Sequence, residues 1–114
     1  MAIAEAFNGT ATIGTTEYSC PNASTTLTPR TEDGVYQVFI DTGPMSFGDQ
    51  FRLRIYERVR SGSTQRVIYE AVLSGTMADS WVFPTLLLMH GWDVTLQRLA
   101  GTDRAFEWSI RQVA

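Results

Sequence analysis

Cysteine and histidine are almost absent from this chain of 114 residues, which contains one of each, Cys20 and His90. A single cysteine cannot form a disulfide within the chain, and a lone thiol fits a reducing compartment. A Ser–His–Asp or Cys–His centre would have to use His90, and no sequence around Cys20 resembles a nucleophile site. One histidine and one cysteine are also too few for a tetrahedral zinc site without two carboxylates. We therefore predict no catalytic residues, no metal ligands, no cofactor and no enzymatic activity.

Lysine is missing altogether, and the nine basic residues, all arginine, face twelve acidic ones, for a net charge of −3 and a pI of about 5.0. A general nucleic-acid-binding protein needs a basic surface, so we expect no direct nucleic-acid partner. The longest apolar run, 81–89, is interrupted by Pro84 and falls far short of the roughly 20 residues that cross a bilayer. Residues 1–7 lack a basic region and a long apolar stretch. We therefore expect neither a signal peptide nor a membrane partner.

Glycine-rich phosphate-binding motifs are also missing. The acids that most suggest hydrolytic chemistry are Glu57 and Glu70, which flank a predicted turn and could face each other as in glycoside hydrolases. They lie among Arg58 and Arg66, and cross-strand ion pairs are the commoner explanation for such a pattern. A small hydrolase is therefore the weakest of the functional hypotheses.

Alternation of apolar and polar side chains is the dominant pattern that remains. It is clearest over 50–59, where the apolar residues Phe51, Leu53 and Ile55 alternate with polar ones. Because successive residues of a strand point to opposite faces, this segment predicts a strand with one apolar face and one arginine face. Similar alternation or strand-like composition is found in residues 2–7, 10–18, 34–42, 65–74, 81–90, 92–97 and 106–111. No window shows a convincing helical stripe.

About seven or eight strands, little or no helix and frequent turns predict an all-β fold, an antiparallel two-sheet β-sandwich formed by one domain, 1–114. Residues 60–64 and 100–103 are predicted as hairpin loops, and His90-Gly91 as a tight turn. Residues 19–34, rich in Pro, Asn, Ser and Thr, are predicted as a long exposed loop. Periodicity does not encode strand order, so a jelly-roll and an immunoglobulin-like sandwich both remain open.

A local basic stripe stands out on this acidic chain: Arg52, Arg54 and Arg58 lie on one predicted strand, and Arg60 and Arg66 flank the turn that follows. It is either a solvated face neutralised by Glu57, Glu70 and their neighbours or a surface that binds an acidic patch on a partner protein.

Arginine and tyrosine are enriched at protein interfaces, so the candidate interface residues are Arg52, Arg54, Tyr56 and Arg58. Ile3 and Phe7 join them, because residues 2–7 could add as a strand to a neighbouring sheet.

Three segments carry a resemblance to a known class of proteins: residues 1–10 (MAIAEAFNGT), 90–96 (HGWDVTL) and 101–111 (GTDRAFEWSIR). In these features the chain resembles the small β-rich virion proteins encoded among the head and tail genes of tailed bacteriophages. The resemblance implies a capsid decoration or cement protein, which is non-enzymatic and often oligomeric. Such a protein would be assembled in the host cytoplasm into the virion, where it binds the major capsid protein or other virion proteins and reinforces the shell. We expect a homo-oligomer, such as a trimer.

Two alternatives stay open. A tail or head–tail connector protein could use the same type of scaffold. A carbohydrate-binding module could stack sugars on Trp81, Trp92, Trp108 and Tyr56. Trp92 and Trp108 fall on the apolar faces of their predicted strands, so we expect these two rings in the core instead.

Overall fold

A computed structural model of the chain describes residues 2–77 and 79–113. Its described residues form strands, turns and irregular segments, with no helix among them. The nine strands are β1 (Ile3–Ile13), β2 (Tyr18–Ser19), β3 (Gly34–Asp41), β4 (Gln50–Glu57), β5 (Arg66–Ser74), β6 (Trp81–Val82), β7 (Leu86–Leu88), β8 (Asp93–Ala100) and β9 (Arg104–Val113).

The strands form two antiparallel sheets. Sheet A has the order β1-β9-β3-β6, with β7 also paired to β3, and sheet B has the order β2-β8-β4-β5. The predicted antiparallel two-sheet sandwich is therefore confirmed. Because β6 and β7 pair with the same strand on either side of the break at 83–85, they act as one interrupted strand. Two four-stranded sheets, in which the first strand lies beside the last, form a jelly roll rather than the immunoglobulin arrangement.

Period-two alternation explains how the strands pack. In β4 the side chains of Phe51, Leu53 and Ile55 are buried between the sheets, while Arg52 and Arg54 lie on the outer face of sheet B. This is the arrangement predicted from the sequence. Buried aliphatic and aromatic residues from both sheets make up the core, and each fully buried large apolar side chain contributes about 1.5–3 kcal/mol.

Aromatic pairs connect the two sheets. Phe51 of sheet B meets Phe106 of sheet A edge to face, with ring centroids 4.7 Å apart. Trp92, just before β8, packs against Tyr36 of β3 at 4.8 Å. Such pairs add about 0.5–1.5 kcal/mol each beyond the area that they bury.

The start of the chain differs from the prediction of two weak strands over 2–7 and 10–18. Residues Ile3–Ile13 form one long strand, β1, which pairs with β9 along its length. The register shifts between Glu5 and Phe7, which marks a β-bulge. An extra residue at a bulge changes which residues face inward. The alternation of apolar and polar residues is therefore shifted by one position after the bulge, and one strand resembles two short strands in the sequence.

Two further predictions also differ from the structure. Residues 81–90 were predicted as one strand, but Pro84, which cannot donate to a ladder, lies in the break between β6 and β7. Residues 100–103 do not form a hairpin, since β8 belongs to sheet B and β9 to sheet A. His90-Gly91 does bend the chain as predicted, and it leads from sheet A to sheet B. The predicted hairpin around 60–64 is confirmed, because β4 and β5 pair from Gln50–Ser74 to Glu57–Arg66.

The segment 19–34 is only partly the exposed loop that its composition predicts. Ser19, Cys20 and Pro21 are buried against sheet B, and the Cys20 amide donates to the Val94 carbonyl at 2.8 Å. Further along, Arg30 forms a two-way backbone bridge with Trp92. The beginning of this segment is therefore part of the sandwich, and its middle is exposed.

Asp49 fastens the loops at one end of the sandwich. Its buried carboxylate accepts hydrogen bonds from the Ser46 amide at 2.8 Å, the Thr102 amide at 3.1 Å and Arg104 Nε at 2.7 Å. The Arg104 hydrogen bond holds the pKa of Asp49 at about 2, with the two amide hydrogen bonds acting in the same direction. Because Arg104 begins β9, this carboxylate ties sheet A to the loops of sheet B.

Candidate interaction surfaces

Two arginines of the predicted basic stripe, Arg52 and Arg54, lie on the outer face of sheet B and are neutralised within the chain. Arg54 Nε donates to Glu70 at 3.0 Å, and Arg52 Nε lies 3.6 Å from the same carboxylate. Arg52 also donates to the side chain of Gln97 at 2.5 Å. The side chains of Arg52 and Arg54 are each 24 % exposed, so they lie flat along the sheet. One acidic residue thus holds both arginines of β4.

Tyr56 extends this network across sheet B towards β2. Its hydroxyl donates to Glu17 at 2.6 Å, and the Thr95 hydroxyl donates to the same carboxylate. Burial raises the pKa of Tyr56, and its hydrogen bond to Glu17 adds to this effect. The hydrogen bond to Tyr56 in turn raises the pKa of Arg54. Glu70 thus offsets the charge of Arg52 and Arg54, and Glu17 holds the Tyr56 hydroxyl beside them, so this face offers a polar network rather than free positive charge.

Arg58 is separated from the other three candidates. It follows the end of β4, and its guanidinium lies over Gly91, where a Cβ atom would come within 3.1 Å of Arg58 Cζ. Arg58 Nε is buried and has no hydrogen-bond partner among the described residues. Only Arg52, Arg54 and Tyr56 thus form one cluster.

The two acids considered for glycoside hydrolysis do not face each other. Glu70 is opposite Arg54 across the sheet, whereas Glu57 is opposite Arg66. Glu57 is buried, and its carboxylate accepts backbone hydrogen bonds from Met89 at 2.6 Å and His90 at 2.9 Å. It therefore fixes the 89–92 turn and takes no part in neutralising the basic stripe, contrary to the sequence-based expectation.

Phe7 points into the molecule rather than towards a partner. Its ring packs edge to face against Trp92 at 5.8 Å, and the Arg30 guanidinium lies 5.1 Å from its centroid. The β-bulge before Phe7 accounts for this orientation. Phe7 therefore anchors β1 to the core, and of the two N-terminal candidates only Ile3 is on the surface.

Ile3 belongs to an apolar row that the sequence analysis did not identify as a unit. Ile3 pairs with Val113, Val113 with Val35, and Val35 with Leu87, so one side chain from each of four neighbouring strands lies in line. Because Tyr36 and Leu88 beside them point into the core, this row lies on the outer face of sheet A. Ile3 is 70 % and Leu87 77 % exposed. We call Ile3, Val113, Val35 and Leu87 the apolar row.

A buried polar cluster lies at the start of β8. The Ser19 hydroxyl donates to the Asp93 carboxylate at 2.7 Å, and the Val94 amide donates to the same oxygen at 2.8 Å. Burial raises the pKa of Asp93 to about 6, and burial also raises that of the adjacent Cys20 thiol, with Asp93 as a second cause. A protonated, buried thiol is a poor nucleophile.

Within the described part of the chain, no three His, Cys, Asp or Glu side chains are grouped to hold a metal ion. No helix long and apolar enough to cross a membrane occurs there either.

The aromatic platform of the carbohydrate hypothesis is mostly buried. Trp92 is fully buried and Trp108 nearly so, as the sequence predicted for these two rings. Trp108 is covered by Gly9 of β1, where a Cβ would come within 2.8 Å of its ring. Tyr56 is held by Glu17, and Trp81 is half-buried. These four rings do not form one exposed surface.

The structure thus defines a jelly-roll sandwich with polar and apolar surfaces but no clustered reactive centre among its described residues. No protein-family model matches the chain, and no curated protein matches it. Among solved structures, it is similar to the crystal structure of the Yersinia pseudotuberculosis-derived mitogen, with a TM-score of 0.55 and 13% sequence identity. The match covers 99% of this chain and 86% of that chain. At this identity the likeness shows the fold alone, and it gives no support to the bacteriophage resemblance.

Proposed function

We propose that this chain is a non-enzymatic structural protein of a tailed-phage virion, a decoration protein that binds the outside of the capsid shell and stabilises it. The resemblance of its sequence to such virion proteins supports this role. The structural observation that carries it is the apolar row, because a rigid sandwich with a continuous apolar strip is suited to binding a protein surface.

The contiguity of the row is what favours an interface. Single exposed apolar residues are common on protein surfaces, whereas contiguous apolar patches mark interaction sites. Neighbouring strands lie about 4.8 Å apart, so the four side chains cover a strip about 14 Å long. Ile3 ends this strip at the free edge of sheet A, since β1 is the outermost strand.

The free edge of β1 adds a second means of binding. β1 has eleven residues, and its outer edge has no neighbouring strand in the described sheet. A strand of a partner can hydrogen-bond to such an edge while Ile3 packs against its side chains. Weak contacts of this kind become strong when a protein bridges several capsid subunits, because the second contact is made at high effective concentration.

Binding to purified shells tests this proposal. The protein is added to expanded shells that lack it, and the bound fraction is measured by co-sedimentation over a range of concentrations. Ile3→Glu should weaken binding at least tenfold, because it places a charge at the edge of the apolar row. Val72→Glu is the matched control, since Val72 is also exposed but lies on β5 of sheet B. Deleting 2–7 is a poorer test, because it removes Phe7 from the core.

The location of the chain in purified particles separates the alternatives. Mass spectrometry of separated heads and tails should find it in heads at a fixed ratio to the major capsid protein. Recovery in tails or connectors would assign it to that alternative, and absence from all particles would refute a virion role. Equal shell binding by the Ile3→Glu and wild-type proteins would show that the apolar row does not bind the shell.

A further inference from the structure

Phe47 is a large apolar side chain that a hydrogen-bonded turn presents to solvent. It is 94 % exposed, at the tip of the loop between β3 and β4. The Asp49 amide donates to the Ser46 carbonyl at 3.1 Å, which closes a four-residue turn, and Gly48 at its third position has a φ of +89°. Such a glycine is typical of a type II turn.

The base of this turn is fastened on both sides. The Asp49 carboxylate binds the Ser46 amide and Arg104, and the buried side chain of Met45 holds the preceding residues in the core. A partner therefore loses little conformational entropy in the turn when it binds Phe47, and rigid aromatic residues of this kind are typical binding hot spots.

An apolar pocket large enough for this ring lies at the opposite end of the molecule. It has a volume of about 260 Å³, beside the start of β3 and the end of β7. Its apolar walls come from Val35, Leu87, Leu88 and Met89, and Asp33 and Gly34 complete the lining. For comparison, an apolar cavity of about 150 Å³ accepts benzene. The pocket shares Val35 and Leu87 with the apolar row, so a copy bound there leaves Ile3, Val113 and the free edge of β1 to bind the shell.

The strand registers place the loops at two ends. Loop residues 14–17, 42–49, 75–77, 79–80 and 101–103 lie at the end that carries Phe47, which we call the acidic end. Loops 20–33, 58–65 and 89–92 lie with the pocket at the other end, which we call the arginine end.

The two ends carry complementary charge. The loops of the acidic end contain four acidic residues and no basic one (Glu17, Asp49, Asp79 and Asp103). The loops of the arginine end contain three arginines and two acidic residues (Arg30, Arg58, Arg60, Glu32 and Asp33). Asp49 and Asp103 are paired with arginines of neighbouring strands, and Arg30 is paired with Glu32. Asp79 at the acidic end, Arg60 at the arginine end and the pocket-lining Asp33 take part in no ion pair among the described residues, so each is available to a partner.

We propose that the chain associates with a second copy of itself head to tail, with Phe47 of one copy in the Leu87–Met89 pocket of the next. The occupant is a second copy because the ring, the pocket and the opposite charges are all present on this one chain, at ends too far apart to meet within it. A contact between two different surfaces of the same chain is heterologous, so it closes into a ring or continues as a chain of copies. This contact adds a second copy of the chain as a partner in the proposed structural role, and the biological purpose of the contact rests on that role.

Self-association of the purified protein tests the contact without any shell, so its failure is separate from failure of shell binding. Sedimentation velocity over a concentration series should show species larger than a monomer, and higher salt should weaken them. Phe47→Ser and Leu87→Asp should each weaken association at least tenfold. Both residues are highly exposed, so we expect each variant to fold, which circular dichroism checks. Val72→Asp, an exposed apolar position on β5, should associate like the wild type.

Mixing the two variants gives the decisive result. Each loses one half of the contact, but Leu87→Asp keeps Phe47 and Phe47→Ser keeps the pocket. An equimolar mixture should therefore form 1:1 heterodimers and nothing larger, although each variant alone is monomeric. A monomeric wild type at high concentration, unchanged association of Phe47→Ser, or no pairing in the mixture would each overturn the proposal.

Discussion

Replacing Asp93 by asparagine should stabilise this protein at neutral pH. The carboxyl group is buried at the start of β8, and its pKa is raised from 3.8 to about 6, mainly by burial. A folded-state pKa above that of the unfolded chain means that the folded state prefers the protonated form. The contribution of Asp93 to the free energy of unfolding is therefore fully present below pH 3.8. It falls as the pH rises towards 6 and is constant above that pH.

The size of this effect follows from the shift. A pKa difference of about two units corresponds to about 3 kcal/mol at pH 7 and about 0.5 kcal/mol at pH 4. Asparagine is neutral and nearly isosteric, and its Oδ1 atom can still accept from the Ser19 hydroxyl and the Val94 amide. Asp93→Asn should therefore raise the free energy of unfolding by up to about 3 kcal/mol at pH 7, with most of the gain gone at pH 4.

Urea denaturation of the wild-type and variant proteins at both pH values measures this difference, and other carboxyl groups cancel in the comparison. Asp33→Asn is the control, because Asp33 is exposed and its substitution should change stability by less than about 0.5 kcal/mol at either pH. An Asp93→Asn variant that is less stable than the wild type at pH 7 would refute the reasoning. So would an equal gain at pH 4 and pH 7.

Two further predictions concern the acidic end. Gly101→Ala should destabilise the fold by more than about 2 kcal/mol, because the new Cβ would lie 2.3 Å from Asp49 Oδ1 at a φ of +89°. Gly62→Ala is the control, because its φ is +85° but no atom lies within 4 Å of the new Cβ. Thermal unfolding should show a smaller loss of stability for it, about 1 kcal/mol. Equal losses of stability for the two variants would contradict the proposed clash. Asp49→Asn should lower stability above about pH 4, because the lowered pKa of Asp49 means that its ionised form stabilises the fold and that this contribution is lost as the pH falls through 2. Acid titrations followed by circular dichroism should therefore show less loss of stability between pH 4 and 2 for the Asp49→Asn variant than for the wild type, and identical profiles would rule out this role.

The fold class could be predicted because the alternation of residues within each strand shows which of its side chains are buried. The alternation of Phe51, Leu53 and Ile55 with arginines is local, and it specified both the strand and its inward face. The sheet to which a strand belongs is not local information. A short loop containing glycine and aspartate, such as 100–103, suits a hairpin and a connection between sheets equally well, which is why the hairpin prediction failed there.

The candidate surfaces were predicted in part for the same reason. Ile3 was named from its position in an N-terminal strand, but its neighbours Val113 and Val35 become apparent only from the register of three strands. Glu17 was missed as the partner of Tyr56 because 39 residues separate them. Phe7 was misplaced because a bulge, which reverses the facing of later residues, leaves no clear signal in the sequence.

The position of β9 between β1 and β3 has a consequence for synthesis of the chain. In sheet A, β9 pairs with both β1 and β3, and it is the last of the described strands in chain order. β1 therefore has no partner strand in its sheet until β9 has left the ribosome. Sheet B is also incomplete until β8 joins β4. Long-range pairing of this kind slows folding and leaves strand edges exposed to neighbouring nascent chains. When many copies are made at once, the yield of folded protein should depend on how long the edge of β1 stays uncovered.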